Sequence, residues 1–469
     1  AQKDTNKKTL NTDTIVVATV DETDPLYPQK EICKVVSLLD DGNLGLVNLF
    51  DAEDTYVVHK DKVSVPTELT PDMLWDRVAI GNSRNEPENR TKWYEEFRWM
   101  LDDWRFVPGG RIMAMLGANN QDQLTAFNCF VIPCPEDSRH GAIEALDRMT
   151  EIMARGGGVG INLSTLRPRH AIVRGVNGTS SGSVSWGGGY SYYTGLIEQG
   201  GSRRGALLEG LGIWHPDIIE FITIKKKQGE MLNANLSVLI TEDFMEALAN
   251  NAEWVLEFPD TACDEYKYEW YGNLKAWKAK GLPTIVYKKL PAKELWDMIM
   301  ESNWASAEPG VIWIERYNEM SNSWYIEEIV CTNPCGEQGL PPWGVCNLGH
   351  VNLSRVPVDP SQQWNIDWKY LERIIRAGVR FMDNIIDITP YFFEENRAVQ
   401  TNTRRIGMGT MGLAELLIKL KIRYGSPVSL DFVDSLYAFI RDTAYDESCN
   451  LAIEKSPIPL FNADTYLES

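Results

Sequence analysis

The chain has 469 residues, 43% of them hydrophobic and 24% charged, and carries a formal net charge of −20 at pH 7. The excess of acids excludes a general surface for phosphate backbones, so no nucleic-acid partner is expected, and no apolar run approaches the roughly 20 residues needed to span a bilayer, so no membrane partner is expected. The length exceeds what one hydrophobic core usually serves, which predicts two or three domains.

At the N-terminus, Lys3, Asp4, Lys7 and Lys8 interrupt any apolar signal-peptide core. A cytoplasmic setting follows. Residues 13–65 alternate β-type runs (Thr14–Val20, Glu31–Leu39, Leu44–Leu49, Thr55–His59) with acidic turns, predicting a small β-rich appendage over 1–66. Its bland reading is a packing or oligomerisation module. Thr70-Pro71-Asp72 is a helix start with a capping hydroxyl and a first-turn proline, and opens a helical segment over 67–128. From residue 129 to 469, strand-type runs (Cys129–Ile132, Gly160–Leu163, Leu236–Ile240, Val311–Ile314) alternate with helical patterns such as Ser138–Arg155 and Asp243–Asn250, the signature of an α/β domain. Residues 156–212 hold 16 of the 36 glycines, a concentration that predicts flexible loops.

Several short motifs within this α/β region carry chemistry. Gly156-Gly157-Gly158-Val159-Gly160 follows a helical stretch and precedes a strand, the reverse of a dinucleotide-binding fingerprint, so no nicotinamide cofactor is expected. Gln199-Gly200-Gly201-Ser202-Arg203-Arg204-Gly205 joins a mobile backbone to two guanidinium forks that suit a nucleotide's phosphate or base. Asn333-Pro334-Cys335-Gly336-Glu337, read as an extended loop, presents an amide, a thiol and a carboxylate on one side. Two distant thiols, Cys129 and Cys346, have the chemistry to supply two electrons by closing a disulfide should the fold bring them together. Eight cysteines in so long a chain do not make a disulfide scaffold, and the spacing of Cys331, Cys335 and Cys346 is poor for zinc, so no metal site is expected.

Over roughly residues 100–455 these motifs, together with Phe127-Asn128-Cys129-Phe130-Val131, Pro108-Gly109-Gly110-Arg111-Ile112, Asn233-Ala234-Asn235-Leu236-Ser237, Glu308-Pro309-Gly310 and Arg404-Arg405-Ile406-Gly407, resemble the large, catalytic subunit of ribonucleotide reductases, most of all the adenosylcobalamin-dependent class. The resemblance implies a ten-stranded α/β barrel whose first half lies in this chain, with a finger loop (331–346) threaded through its centre, where a closed barrel shields radicals from water. It implies that Cys335 becomes a thiyl radical and abstracts the ribose 3′ hydrogen. Glu337 acts as base, Asn333 holds the ribose, and Cys129 and Cys346 end as a disulfide. Asn128, Gly157 and Gly158 are the implied substrate contacts. Effector loops (137–205) would hold a deoxynucleoside triphosphate through Asp137, Ser138, Arg167 and Arg174, and relay its identity through Gly200, Gly201, Arg203 and Arg204.

The implied cofactors are adenosylcobalamin and Mg2+ with the nucleotide, and the implied partners are a ribonucleotide substrate, a deoxynucleotide effector and a thioredoxin- or glutaredoxin-like reductant. Two rival readings stand beside this one: a reductase fed by a separate di-metal subunit, and a nucleotide-binding regulatory half of a split enzyme. No Pro-Thr-x-Ser-type phosphate loop and no C-terminal cysteine pair follow Cys346. The expectation is therefore a complementing C-terminal polypeptide or self-association.

Overall fold

The computed structural model describes residues 3–4, 10–23, 28–173, 175, 177–199, 203–227, 229–359 and 365–468. These form two compact units, one of residues 1–103 and 116–119 and the other of residues 104–115 and 120–469.

The first unit opens with an antiparallel sheet of six strands in the order Lys3–Asp4, Val63–Pro66, Ile15–Asp21, Gln29–Leu38, Asn43–Asn48 and Thr55–His59. Alternation sets its one-sided core. Val16 and Ala18, Cys33 and Val35, and Leu44 and Leu46 each lie two apart and are buried together with Val58 and Val63. Helix α1 (Pro71–Ser83) begins as the sequence predicts, with Thr70 Oγ1 accepting from the Met73 N–H at 3.5 Å and Pro71 in the first turn. Helix α2 (Arg90–Leu101) follows, burying Phe97, Met100 and Leu101.

The second unit is a mixed α/β domain built on five parallel strands. In chain order they are β1 (Cys129–Val131), β2 (Gly158–Asn162), β3 (Leu207–Gly212), β4 (Ala234–Ile240) and β5 (Gly310–Trp313), and each pairs with its predecessor. Helices α3 (Arg139–Ala154), α4 (Ser183–Leu196) and α5 (Ile218–Thr223) occupy the first three crossovers. Every residue of β2 and β3 is buried, as expected for parallel strands covered on both faces. A separate three-stranded sheet centres on Leu348–Asn352, parallel to Gly407–Met411 and antiparallel to Phe106–Pro108. Helix α6 (Trp368–Ile388) packs beside α7 (Pro427–Lys455), where Lys455 reaches Asp383 at 2.9 Å. Among the described residues the parallel sheet stays open and no barrel is closed.

One sequence-based expectation is corrected here. The glycine-rich stretch 156–212 is not chiefly loop: it contains β2, α4 and the central strand β3. Its glycines stand where one backbone packs on another group. A Cβ at Gly187 of α4 would lie 2.3 Å from Glu209 Oε2, and one at Gly210 would lie 3.3 Å from Cys331 Sγ. Glu209 is itself unusual. It sits fully buried in mid-β3 with no hydrogen-bond partner for either carboxylate oxygen among the described residues. Burial pushes its pKa up to about 8 against the opposing pull of Lys225.

Candidate active site

Residues 331–340 form a hairpin, β6 (Cys331–Thr332) against β7 (Gly339–Leu340), lying along one face of the parallel sheet. The sheet receives it through missing side chains. On β2 a Cβ at Gly160 would come within 1.9 Å of the Thr332 carbonyl oxygen, and one at Gly158 within 2.9 Å of Pro334 Cγ. Two amides then fasten the hairpin: Asn162 Nδ2 donates to the Val330 carbonyl at 3.1 Å, and Asn235 Nδ2 on β4 donates to the Pro334 carbonyl at 2.9 Å. Val330 therefore lies by the last residue of β2 and Pro334 by the first, which directs the tip toward the amino ends of the strands.

The tip is a turn, not the extended loop that alternation predicts. The Gly336 N–H donates to the Asn333 carbonyl at 2.9 Å, with Gly336 at φ +81°, where a Cβ is strained. Asn333 and Glu337 nevertheless meet, across the turn instead of along a strand. Buried Asn333 donates from Nδ2 to Glu337 Oε2 at 2.6 Å, and its Oδ1 accepts from the Gln338 N–H at 3.0 Å. Cys335, Gly336 and Glu337 are exposed. The shielding expected of a closed barrel is not seen, because among the described residues the open sheet covers the hairpin on one side only.

Behind the tip lie two buried thiols. Segment 343–346 runs antiparallel to β1, with Phe130 opposite Val345, Val131 N–H donating to the Gly344 carbonyl at 2.9 Å and Cys346 N–H donating to the Cys129 carbonyl at 2.9 Å. This register makes Cys129 and Cys346 cross-strand neighbours, whose Cα atoms stand roughly 4.5–5.5 Å apart, inside the range of roughly 4.4–6.8 Å that a disulfide spans. Their thiols are hydrogen-bonded. That bond lowers the pKa of Cys129, which also receives hydrogen bonds from Asn333 and Cys335, while the same bond and burial raise Cys346. Cys346 thus keeps the proton and Cys129 is the sulfur that ionises first. Cys331, considered above only against zinc, joins the same buried cluster with Leu208 and Leu340. Each of the eight cysteines is a thiol in this structure.

The three implied substrate contacts are adjacent to this centre. Asn128 Oδ1 accepts from the Arg111 N–H at 3.1 Å, and its carbonyl accepts from the Gly158 N–H at 2.8 Å. A Cβ at Gly157 would meet the Phe130 ring at 2.6 Å. Packing within the fold thus accounts for glycine at both 157 and 158.

Beyond the carboxyl ends of β1 and β2 a second constellation forms. Asp137, just before α3, accepts on Oδ1 from the Arg167 N–H at 3.0 Å and on Oδ2 from Arg167 Nε at 2.7 Å and from the Tyr266 hydroxyl at 2.6 Å. Ser138 caps α3, its Oγ accepting from the Gly141 N–H at 2.9 Å. Tyr266 had no signal in the sequence; burial beside the Asp137 charge raises its pKa and keeps it a donor. Asp137, Ser138, Arg167 and Tyr266 line a cavity of about 1100 Å³ with Trp270 and Tyr271. Arg174, Gly200 and Gly201 lie outside the described residues, while Arg203 and Arg204 form a short strand paired with Glu198–Gln199. A further cavity of about 610 Å³ opens at the carboxyl ends of the parallel strands, by Asn162, Gly212 and Leu239.

The site thus sets a solvent-facing thiol beside an amide–carboxylate pair, in front of two buried thiols, on a parallel α/β sheet. The family described as ribonucleotide reductase, barrel domain, matches residues 127–469, and that described as ribonucleotide reductase, all-alpha domain, matches residues 43–121. The chain belongs to the ribonucleotide reductase large-subunit family. It is 32% identical over 440 residues to a vitamin B12-dependent ribonucleoside-diphosphate reductase of Mycobacterium tuberculosis, covering 93% of this chain and 59% of that one. It is 36% identical over 367 residues to the enzyme of the same name from Thermoplasma acidophilum, covering 78% and 44%, and 28% identical over 425 residues to a ribonucleoside-diphosphate reductase subunit alpha of Chlamydia muridarum, covering 88% and 39%. The chain therefore spans less than three-fifths of the length of these relatives.

Proposed function

We propose that this chain carries the thiol centre of a reductase that converts ribonucleotides to 2′-deoxyribonucleotides, with its five parallel strands forming one half of the ten-stranded barrel. The observation that carries the reading is the convergence of Cys335, the Asn333–Glu337 pair and the Cys129–Cys346 pair on one hairpin and its neighbouring strand. A thiyl at Cys335 suits abstraction of the 3′ hydrogen because the two bonds to hydrogen are close in strength. Glu337 takes the 3′ hydroxyl proton while Asn333 holds the ribose, which favours loss of the 2′ hydroxyl as water. Cys129 and Cys346 then supply two electrons and two protons and become a disulfide, and Cys335 returns the abstracted hydrogen to the 3′ carbon, which restores its thiyl. A thioredoxin- or glutaredoxin-like dithiol reopens the disulfide.

The names of two relatives point to B12 as the radical source and to a diphosphate substrate, with Mg2+ accompanying the nucleotide. No residue of the tip 333–337 lines either the 610 or the 1100 Å³ cavity. Every step above is assigned to this chain's own side chains. The Asp137–Arg167 corner is proposed as the seat of a deoxynucleoside triphosphate effector. The reading is tested by deoxycytidine nucleotide formation from the ribonucleotide with adenosylcobalamin and a dithiol, with and without a complementing chain. Product that disappears in Cys335→Ser supports it; product that persists in that variant contradicts it.

A further inference from the structure

Between β3 and α5 runs Trp214-His215-Pro216-Asp217, a turn in the structure. Asp217 is buried, and its carboxylate is shared among chain segments far apart in sequence. The Arg169 N–H donates to Oδ1 at 2.9 Å and to Oδ2 at 3.2 Å, while the Ser183 N–H and hydroxyl donate to Oδ2 at 2.9 and 3.0 Å. Gly182, at φ +90°, makes this possible, since a Cβ there would stand 2.7 Å from Asp217 Oδ2.

Ser183 is the first residue of α4, and Gly182 offers no side chain to cap it. A carboxylate from another element supplies the cap instead, with its charge at the positive end of the helix dipole. His215 completes the frame: its Nδ1 accepts from the Asp217 N–H at 3.1 Å and its Nε2–H donates to the Leu166 carbonyl at 2.9 Å. Burial lowers its pKa, so it stays neutral with the proton on Nε2. Arg169 adds a second tie, forking onto Glu220 of α5 at 2.8 and 3.0 Å and onto Ser185 of α4 at 3.0 Å.

The two ends of this frame differ in role. Arg169 lies two residues beyond Arg167, which clamps Asp137 in the corner proposed for the effector. Helix α4 ends at Leu196, immediately before the paired segments Glu198–Gln199 and Arg203–Arg204. We propose that Asp217 is a positioning residue for the effector site, fixing the Arg167–Arg169 segment to the N-terminus of α4 so that effector binding is felt at residues 203–207. The proposal rests on the effector reading given above. Asp217 touches no nucleotide; it sets where Arg167 stands and ties that position to a helix whose far end abuts the second nucleotide-facing segment.

The test compares the full chain with Asp217→Asn, which keeps the shape but replaces one acceptor oxygen with a donor facing two N–H groups. Binding of each of the four deoxynucleoside triphosphates with Mg2+ is measured by calorimetry, and amide exchange is followed with and without the nucleotide. The expected result is at least tenfold weaker binding in Asp217→Asn and loss of the nucleotide-induced protection at 203–207. A purely structural role would lower the melting temperature without uncoupling those amides. Affinity within twofold of wild type, with protection at 203–207 retained, overturns the proposal and leaves the effector reading standing. Wild-type chain that binds none of the four nucleotides overturns the effector reading and the proposal together. Should Asp217→Asn fail to fold, Ser183→Ala decides: it removes one of the bonds to the carboxylate and is expected to weaken binding about threefold, and unchanged binding and exchange there refute the proposal.

Discussion

The hairpin dock and the Asp137–Arg167 corner lie on the same parallel sheet and are held by opposite means. The hairpin is seated by absent side chains: Gly160 lets backbone lie on backbone, Gly158 and Gly210 leave room for Pro334 and Cys331, and two neutral amides fasten it. The corner is held by charge, with Asp137 gripping Arg167 and Tyr266, and Asp217 gripping Arg169 and Ser183. A seat made of van der Waals contact has one geometry, which suits a tip that must place a thiol, an amide and a carboxylate within tenths of an ångström. A seat made of carboxylate hydrogen bonds can exchange partners with an anionic ligand's surroundings, which suits a site that must respond. The two regions should therefore fail differently, the first to added volume and the second to lost acceptors.

The largest expected effect sharpens the comparison on the hairpin side. Cys335→Ser removes the reacting sulfur from an exposed turn and should abolish nucleotide reduction, by more than a thousandfold, while the urea midpoint moves little. Comparable turnover in that variant would remove the chemistry from the hairpin altogether. Next is Gly160→Ala, whose methyl would fall 1.9 Å from the Thr332 oxygen. Overpacking of this kind typically costs about 1–3 kcal/mol, and here the hairpin must lift, so the urea midpoint should fall. Gly110→Ala, with nothing within 4 Å of the added Cβ, should be near neutral. Equal effects from the two substitutions would break the distinction between a packed dock and open surface.

Glu209 lies between these modes, charged by type yet buried without a hydrogen-bond partner. Its folded pKa of about 8 lies above the ordinary 4.5, so the folded state keeps a proton that the unfolded chain releases. The stability it contributes is fully present below pH 4.5, declines as pH rises toward 8 and is flat beyond. Glu209→Gln should therefore gain stability on wild type progressively as pH rises from 5 to 8 in paired denaturant melts; a difference that does not change with pH would show that Glu209 is ionised in the fold. The smallest effect belongs to the corner. Tyr266→Phe deletes one hydrogen bond to a carboxylate, worth about 1.5 kcal/mol, and should lower the melting temperature by a few degrees without touching the thiols' oxidation.

What the sequence made legible follows from the same physics. β-type runs bounded by acidic turns announced the N-terminal strands, and Thr70-Pro71 announced α1, because both signals are local. The strand β3 and helix α4 were hidden, since Gly187 and Gly210 read as breakers until their neighbours Glu209 and Cys331 are placed beside them. At the tip the residue types pointed to Asn333, Cys335 and Glu337, but the positive φ of Gly336 turned an expected strand into a turn. Tyr266, His215 and Asp217 carried no pattern at all: each acts across 34 or more residues, on Asp137, Leu166 and Ser183 respectively, which no spacing rule reports.

The central claim is that β1 and segment 343–346 hold Cys129 and Cys346 as a matched dithiol behind Cys335. It is tested most directly by titrating the reduced chain with one equivalent of diamide under native conditions, trapping remaining thiols with an alkylating agent and mapping the peptides by mass spectrometry. The account predicts a single dominant link between Cys129 and Cys346, with Cys134, Cys331 and Cys335 alkylated after unfolding. Recovery of Cys129 and Cys346 as alkylated thiols, with oxidation falling on other cysteines, would contradict it.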